Sequence, residues 1–202
     1  MTRTIESVAV LGCGTMGAGI AAASAAAGCR VLMLDLTREA AEKGAELVAE
    51  EDRHLITVGT FDEDLDLVVD YDWICEAIVE DLATKQELFA KVEPIRRDGS
   101  VISSNTSGIP LSALSEGASD RFKADVAITH FFNPVKVMKL FELVPGQATS
   151  GEVIEAFSCF GTEKLSRGVV ARRTRSISSA IGLAVSSCCL GSIWPSPSCW
   201  LV

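Results

Sequence analysis

The sequence is short of positive charge, of histidine and of long apolar runs. Its 202 residues hold 18 Lys and Arg against 27 Asp and Glu, a formal net charge of −9. No basic stripe is offered to phosphates, so nucleic acid and anionic membrane surfaces are not expected partners. No leader peptide is expected from the opening residues, and no apolar run reaches the roughly 18 residues that cross a bilayer. A cytoplasmic protein is the expectation. Cysteine is present, at seven, but Cys13, Cys29, Cys75 and Cys159 are scattered without a C-x-x-C pair. They read as small core residues, and no metal site is expected. With 48 % hydrophobic and 22 % charged residues, a soluble globular domain can form without disulfide or metal staples.

The composition breaks near residue 170. All 27 acids and 15 of the 18 Lys and Arg precede that point, a net −12. The last 32 residues contain no acid, three Arg, eight Ser, three Cys and two Trp, with no apolar period of 3.6 or two residues. Two units are therefore expected: a coherent body, 1–170, and an atypical tail, 171–202.

Within the body, "IESVAVLG" is a β-rich run and "TMGAGIAAASAAAG" a small-residue helix closing at Gly28. "CRVLMLD" is a second strand with Asp35 at its carboxyl end. Between helix and first strand lies Gly12-Cys13-Gly14-Thr15-Met16-Gly17, the G-x-G-x-x-G spacing. Gly12 permits the tight turn, Gly14 lets pyrophosphate approach the backbone, and Gly17 lets helix and strand pack closely. The helix N-terminus adds free N–H groups and a positive dipole end. Asp35, 18 residues past Gly17, can hold both ribose hydroxyls and repels a 2′-phosphate, which favours NAD. Arg38 is the one nearby group that argues for NADP.

A polar helix is expected over about residues 38 to 52. "DYDWICEAIVEDLATKQELFAKV" then reads as a buried strand running into an amphipathic helix, and "GSVISSNTSG" as a strand ending in a polar turn. "ADVAITHFFNP" is a strand stopping at His130, and "VMKLFELVPG" one more, carrying Glu142. Alternating strands and helices imply an α/β fold with a doubly wound, mostly parallel sheet, whose ligands sit beyond the carboxyl ends of the strands. Glu80, Ser107 and His130 fall at or just after such ends. His54, the only other histidine, lies in a polar stretch and reads as surface. A strand–turn–strand through Asn133 and Pro134 can return Glu142 to His130, and an imidazole so paired is a competent general base. Taken singly, each residue has a plain reading: Ser107 a turn residue, Asn133 a cap, Glu80 and Lys85 a surface helix pair.

Together, "VAVLGCGTMGAGIA", "CEAIVEDLATK", "SSNTSG" and "HFFNPVKVMKLFELV" resemble the NAD-binding Rossmann domain of the 3-hydroxyacyl-CoA dehydrogenases, from residue 5 to about 170. The stretch around "DEDLDLVVDYDWICEAIVEDLATKQ" further resembles the large bacterial members that carry an enoyl-CoA hydratase-like region. The resemblance implies β-oxidation chemistry: (3S)-3-hydroxyacyl-CoA and NAD give 3-oxoacyl-CoA and NADH. It implies that His130 removes the hydroxyl proton, that Glu142 holds and polarises His130, and that Ser107 meets the substrate oxygen and the nicotinamide. It also places Glu80, Lys85 and Asn133 around the ribose and amide of the cofactor, with Lys85 near the CoA side. Residues 35 to 70 are short for the helical pair with which the family clasps CoA.

After "RGVV" the family continues with a Lys-Asp-Thr run, a Phe-Ile-x-Asn-Arg motif and a helical domain that closes the cleft and dimerises. None of these is found in the 202 residues, so no dimer is carried over. Back-translation of residues 171 to 181 permits Asp-Thr-Leu-Asn-Phe-Ile-Gly-Asn-Arg in a shifted frame. The expectation is thus a frameshift near Val170, leaving either a dehydrogenase or, in the alternative, an NAD-binding module of low turnover.

Overall fold

The run Ser-Val-Ala-Val-Leu has no polar face, and it forms a strand, β1 (Ser7–Leu11), buried at every residue. Parallel strands covered by helices on both sides require such continuous apolar runs. The computed structural model describes residues 3–172. Helix α1 (Thr15–Ala26) and strand β2 (Arg30–Asp35) follow β1, then α2 (Arg38–Ala45), a 3-10 helix (Glu50–Leu55), β3 (Ile56–Thr60) and α3 (Phe61–Asp64). A second 3-10 helix (Leu65–Asp70) leads to β4 (Trp73–Glu76), α4 (Leu82–Val92), β5 (Val101–Ser104), α5 (Leu111–Leu114), α6 (Asp120–Asp125) and β6 (Val126–Phe131). The described residues end with β7 (Leu140–Pro145), α7 (Gly151–Cys159), a π-helical turn (Phe160–Lys164) and β8 (Gly168–Ala171).

Among the described residues one sheet holds the eight strands, in the order β3-β2-β1-β4-β5-β6-β7-β8. The first six pair in parallel in the order of a Rossmann fold, β6 and β7 pair antiparallel, and β8 runs parallel to β7. The doubly wound, mostly parallel sheet inferred from the sequence is the observed one. Between β1 and β4 the winding reverses, which opens a crevice at their carboxyl ends.

Small residues bring α1 close to the sheet, where Gly17, Ala18, Ala21 and Ala25 are buried. Beside it Trp73 stacks with Phe131 and meets Phe157 and Phe160 edge-on, filling the face under α1 and α7. The opposite face packs Leu32, Leu34, Ile74 and Leu88 in one cluster and Ile102, Phe122 and Ile128 in another. Asp81, Ser119 and Ser150 cap α4, α6 and α7 by accepting from Thr84, Phe122 and Val153 backbone N–H groups.

Three details depart from the sequence reading. The polar helix expected to about residue 52 ends at Ala45, because Val48 turns into the core at 2 % exposure and takes the chain off the helical path. Residues 35 to 70 carry an unforeseen edge strand, β3, among short helical turns. The strand expected to stop at His130 runs one residue further, to Phe131. Apart from residues 171 and 172, the expected tail and its frameshift lie outside the described residues. Among the described residues, no helix is long and apolar enough to cross a membrane.

Candidate active site

The carboxyl ends of β1, β2 and β4 build the first half of the site. Gly12 turns the chain at φ +98°, a left-handed conformation that disfavours a side chain. A Cβ there would also stand 2.8 Å from the Ala77 carbonyl, so the turn passes directly over the end of β4. A Cβ on Gly17 would lie 1.8 Å from the Gly12 oxygen, whereas one on Gly14 would meet nothing within 4 Å. The glycines thus divide into two that let protein pack on protein and one that faces open space. Gly14 is the N-cap of α1 and has no capping side chain, which leaves the first N–H groups of the helix to an incoming anion. Thr15 is exposed and Met16 half-buried against the core. Cys13 contributes its backbone alone, because its side chain is buried, with the thiol directed at the Leu34 carbonyl. Burial and then the Asp35 charge push that thiol up to about 12.

Asp35 accepts from Cys13 N–H at 2.6 Å and from Leu36 N–H at 2.7 Å, and it faces a cavity of about 610 Å³. Leu36, Phe61, Ile78 and Val79 supply apolar walls of a size that suits an adenosine. Arg38 turns away, donating to the Val58 carbonyl at 3.1 Å and to Asp64 at 3.2 Å, with Glu63 at 3.5 Å. A 2′-phosphate would therefore meet Asp35 without that arginine. The open face of Gly14, the unpaired helix N-terminus and the carboxylate beside an apolar cavity fit NAD.

Strands β5, β6 and β7 build the second half. The antiparallel register places Glu142 directly across from His130. Glu142 Oε2 lies 3.3 Å from His130 Nδ1, close enough for ionic attraction. The ring N–H is not aimed along that line, however, and Nδ1 is buried without a hydrogen bond. Such pairs are often misaligned before a ligand arrives. On its other side the ring meets Ser107 Oγ at 2.9 Å through Nε2. Phe132 packs edge-on against the imidazole, and Arg172 Nε approaches the second Glu142 oxygen at 3.6 Å. His54 is exposed and bonded to the Glu51 carbonyl.

A polar network absent from the sequence reading holds Ser107 in place. Glu80 Oε1 accepts from the Thr106 hydroxyl, from Ser107 N–H at 3.1 Å and from Gly108 N–H at 3.0 Å. Burial raises the Glu80 pKa, but these hydrogen bonds and the Lys85 charge outweigh it and leave the carboxyl below its ordinary value. Lys85 is not on the surface, as a helix pair with Glu80 would require, nor open to a CoA. It is 1 % exposed, with Nζ 2.5 Å from Glu76 and 3.4 Å from Glu80. Glu76, wholly buried, also accepts from Ile78 N–H and the Ser104 hydroxyl. A carboxylate closing the apolar strand "WICE" needs a buried cation, and Lys85, one turn into the next helix, was the available one. Asn105 Oδ1 accepts from Phe131 N–H at 2.9 Å, and Asn133 is exposed on the β6–β7 connection.

Comparison with known proteins places this chain in a family of NAD-binding dehydrogenase domains. Residues 7–174 match the family described as 3-hydroxyacyl-CoA dehydrogenase, NAD binding domain. The chain is 38 % identical over 200 residues to a probable 3-hydroxyacyl-CoA dehydrogenase of Bacillus subtilis, covering 84 % of this chain and 25 % of that protein. It is 37 % identical over 182 residues to a probable 3-hydroxyacyl-CoA dehydrogenase of Deinococcus radiodurans, covering 82 % and 53 %. The crystal structure of M. tuberculosis FadB2 superposes with a TM-score of 0.78 at 32 % identity, over 86 % of this chain and 65 % of that one. The chain therefore spans a quarter to about half the length of these two relatives.

Proposed function

The chain belongs to the 3-hydroxyacyl-CoA dehydrogenase family, whose NAD-binding domain it carries, and from that premise we propose that it takes part in oxidising a (3S)-3-hydroxyacyl-CoA to the 3-oxoacyl-CoA. The observation that carries this reading is the Ser107–His130–Glu142 line at the carboxyl edge of the sheet. The Ser107 hydroxyl, 2.9 Å from Nε2, marks where a hydroxyl oxygen can meet the ring. His130 Nε2 takes the proton of the substrate 3-hydroxyl as the C–O bond becomes a carbonyl. Glu142, 3.3 Å from Nδ1 across the ladder, stabilises the resulting imidazolium by its charge. Ser107 donates a hydrogen bond to the same oxygen. NAD, when bound, supplies the acceptor for the hydride leaving C3. Gly14 and the α1 N-terminus would hold its pyrophosphate and Asp35 its adenosine ribose, with Asn133 near its amide. Glu80 and Lys85 act one layer back, a role supported by the Glu80 hydrogen bonds to the Ser107 and Gly108 N–H groups and by the Lys85 ammonium beside Glu80.

The test separates binding from chemistry. Calorimetry should show NAD binding to the wild-type chain and to His130→Gln with affinities within about twofold, since the ring is remote from the phosphate cradle. Turnover of acetoacetyl-CoA, followed by NADH absorbance, should fall in His130→Gln by about 10²- to 10⁴-fold, the usual worth of a general base. NAD binding without measurable wild-type turnover favours the binding-module reading, and turnover unchanged in His130→Gln rejects the proposed base.

A further inference from the structure

Arg167 is 7 % exposed, and among the described residues no carboxylate pairs with it. A buried guanidinium without a counterion is costly, and its donors show what it holds. Nη2 donates to the Val135 carbonyl at 2.7 Å, Nη1 donates to the Met138 carbonyl, and the guanidinium carbon lies 5.3 Å from the centroid of the Phe131 ring. Both carbonyls belong to the β6–β7 connection, and Phe131 adjoins His130. Ser166, immediately before Arg167, sits at φ 50°, a left-handed conformation uncommon for a residue with a side chain. The chain bends sharply there to deliver the arginine. On the opposite side Val135 fills a notch in α1, where a Cβ on Gly19 would come 2.9 Å from its side chain. The connection that bears Asn133 is thus gripped between the helix of the phosphate cradle and a single buried cation.

We infer that Arg167 is a positioning residue, whose bidentate grip on the Val135 and Met138 carbonyls fixes the β6–β7 connection so that Asn133 meets the nicotinamide end of the cofactor. The inference rests on the cofactor placement proposed above and adds the residue that enforces it. The grip acts at the nicotinamide end, because the adenosine cavity is built from the turns after β1, β2 and β4 with α3 and α4 and shares no residue with this connection, and Val135 meets α1 at Gly19, away from its N-terminus. Lysine retains the charge but cannot bridge two carbonyls in a fixed plane.

Calorimetric titration of the purified chain with NAD and with ADP-ribose tests this split. Arg167→Lys should weaken NAD by about tenfold, the worth of roughly one hydrogen bond, and ADP-ribose by less than about twofold. Asn133→Ala should show the same split, and the double variant should be little worse than either alone. Equal weakening of both ligands by Arg167→Lys would mean a general structural role and overturn the inference, as would unchanged NAD affinity. Additive losses in the double variant would also overturn it. A wild-type chain that bound neither ligand would instead overturn the cofactor reading beneath it. Arg167→Met, which removes the charge, should deepen the NAD loss, but Arg167→Lys is the deciding variant because it keeps the interior cation.

Discussion

A methyl group separates two of the glycines around the α1 N-terminus by what it would meet. On Gly17 it would lie 1.8 Å from the Gly12 oxygen, a backbone atom that cannot step aside, so α1 would have to lift from β1. Gly17→Ala should therefore destabilise the fold by about 3 kcal/mol or more, beyond ordinary overpacking. On Gly14, whose φ is an ordinary −64°, the methyl would meet no protein atom within 4 Å. Gly14→Ala should leave urea stability within about 0.5 kcal/mol of wild type. The same methyl would stand where pyrophosphate must approach the backbone, so NAD affinity should fall about tenfold or more. The pair of measurements, urea midpoint and NAD titration, distinguishes a packing glycine from a binding one. Wild-type NAD affinity in Gly14→Ala would remove the phosphate cradle from the site.

Elements divide the sheet into two edges with different work. Ser107, His130 and the glycine turn lie at carboxyl ends, while the amino edge is closed by ions: Asp125 at the end of α6 accepts from Arg96 at 2.9 Å and from Arg3 at 2.6 Å. The Arg96 side chain is wholly buried, so Asp125→Ala strands a charge, although Glu93 still holds Nε at 2.7 Å. We expect a loss of about 3 kcal/mol and a fall in Tm on the order of 6–12 °C by thermal melting, with NAD affinity of the folded protein unchanged. An unshifted Tm would refute the burial argument. This edge was opaque in the sequence because Arg3, Arg96 and Asp125 share no motif and meet only through the fold. The strands β1 and β2 were legible as continuous apolar runs, and β4, β5, β6 and β7 as short β-rich runs that close on polar residues or turns. Strand β3 was not, because "ITVGT" is an edge strand with one buried residue and no apolar run. Likewise the glycine spacing announced the phosphate cradle from local sequence alone. Glu76, Thr106 and Arg167 were missed because their partners lie on other elements: Lys85 and Ser104 for Glu76, Glu80 for Thr106, and the Val135 and Met138 carbonyls for Arg167.

At the scale of the whole molecule, the sheet buries its thiols in a way that ties stability to alkaline pH. Cys75 is wholly buried in β4, and burial pushes its thiol up to about 12, as burial and Asp35 do for Cys13. An unfolded chain leaves both near the ordinary 9.0. Above that pH the unfolded state releases protons that the folded state retains, so rising pH favours unfolding. The stabilisation is complete below about pH 9 and is lost progressively as pH climbs toward 12. By pH 10 the two thiols together should lower unfolding free energy by about 3 kcal/mol relative to pH 8. Tyr71, whose pKa burial also raises above its ordinary 10.0, contributes little within that window. Urea unfolding of wild type and of a Cys13→Ala, Cys75→Ala double variant, compared from pH 8 to 10, isolates the effect. The variant starts lower, having lost core volume, but its stability should decline less steeply with pH. Parallel slopes would show that the thiols are not buried as the sheet places them. Iodoacetamide labelling mapped by mass spectrometry gives an independent check at pH 8: Cys13 and Cys75 should resist the reagent in the native protein and react in urea.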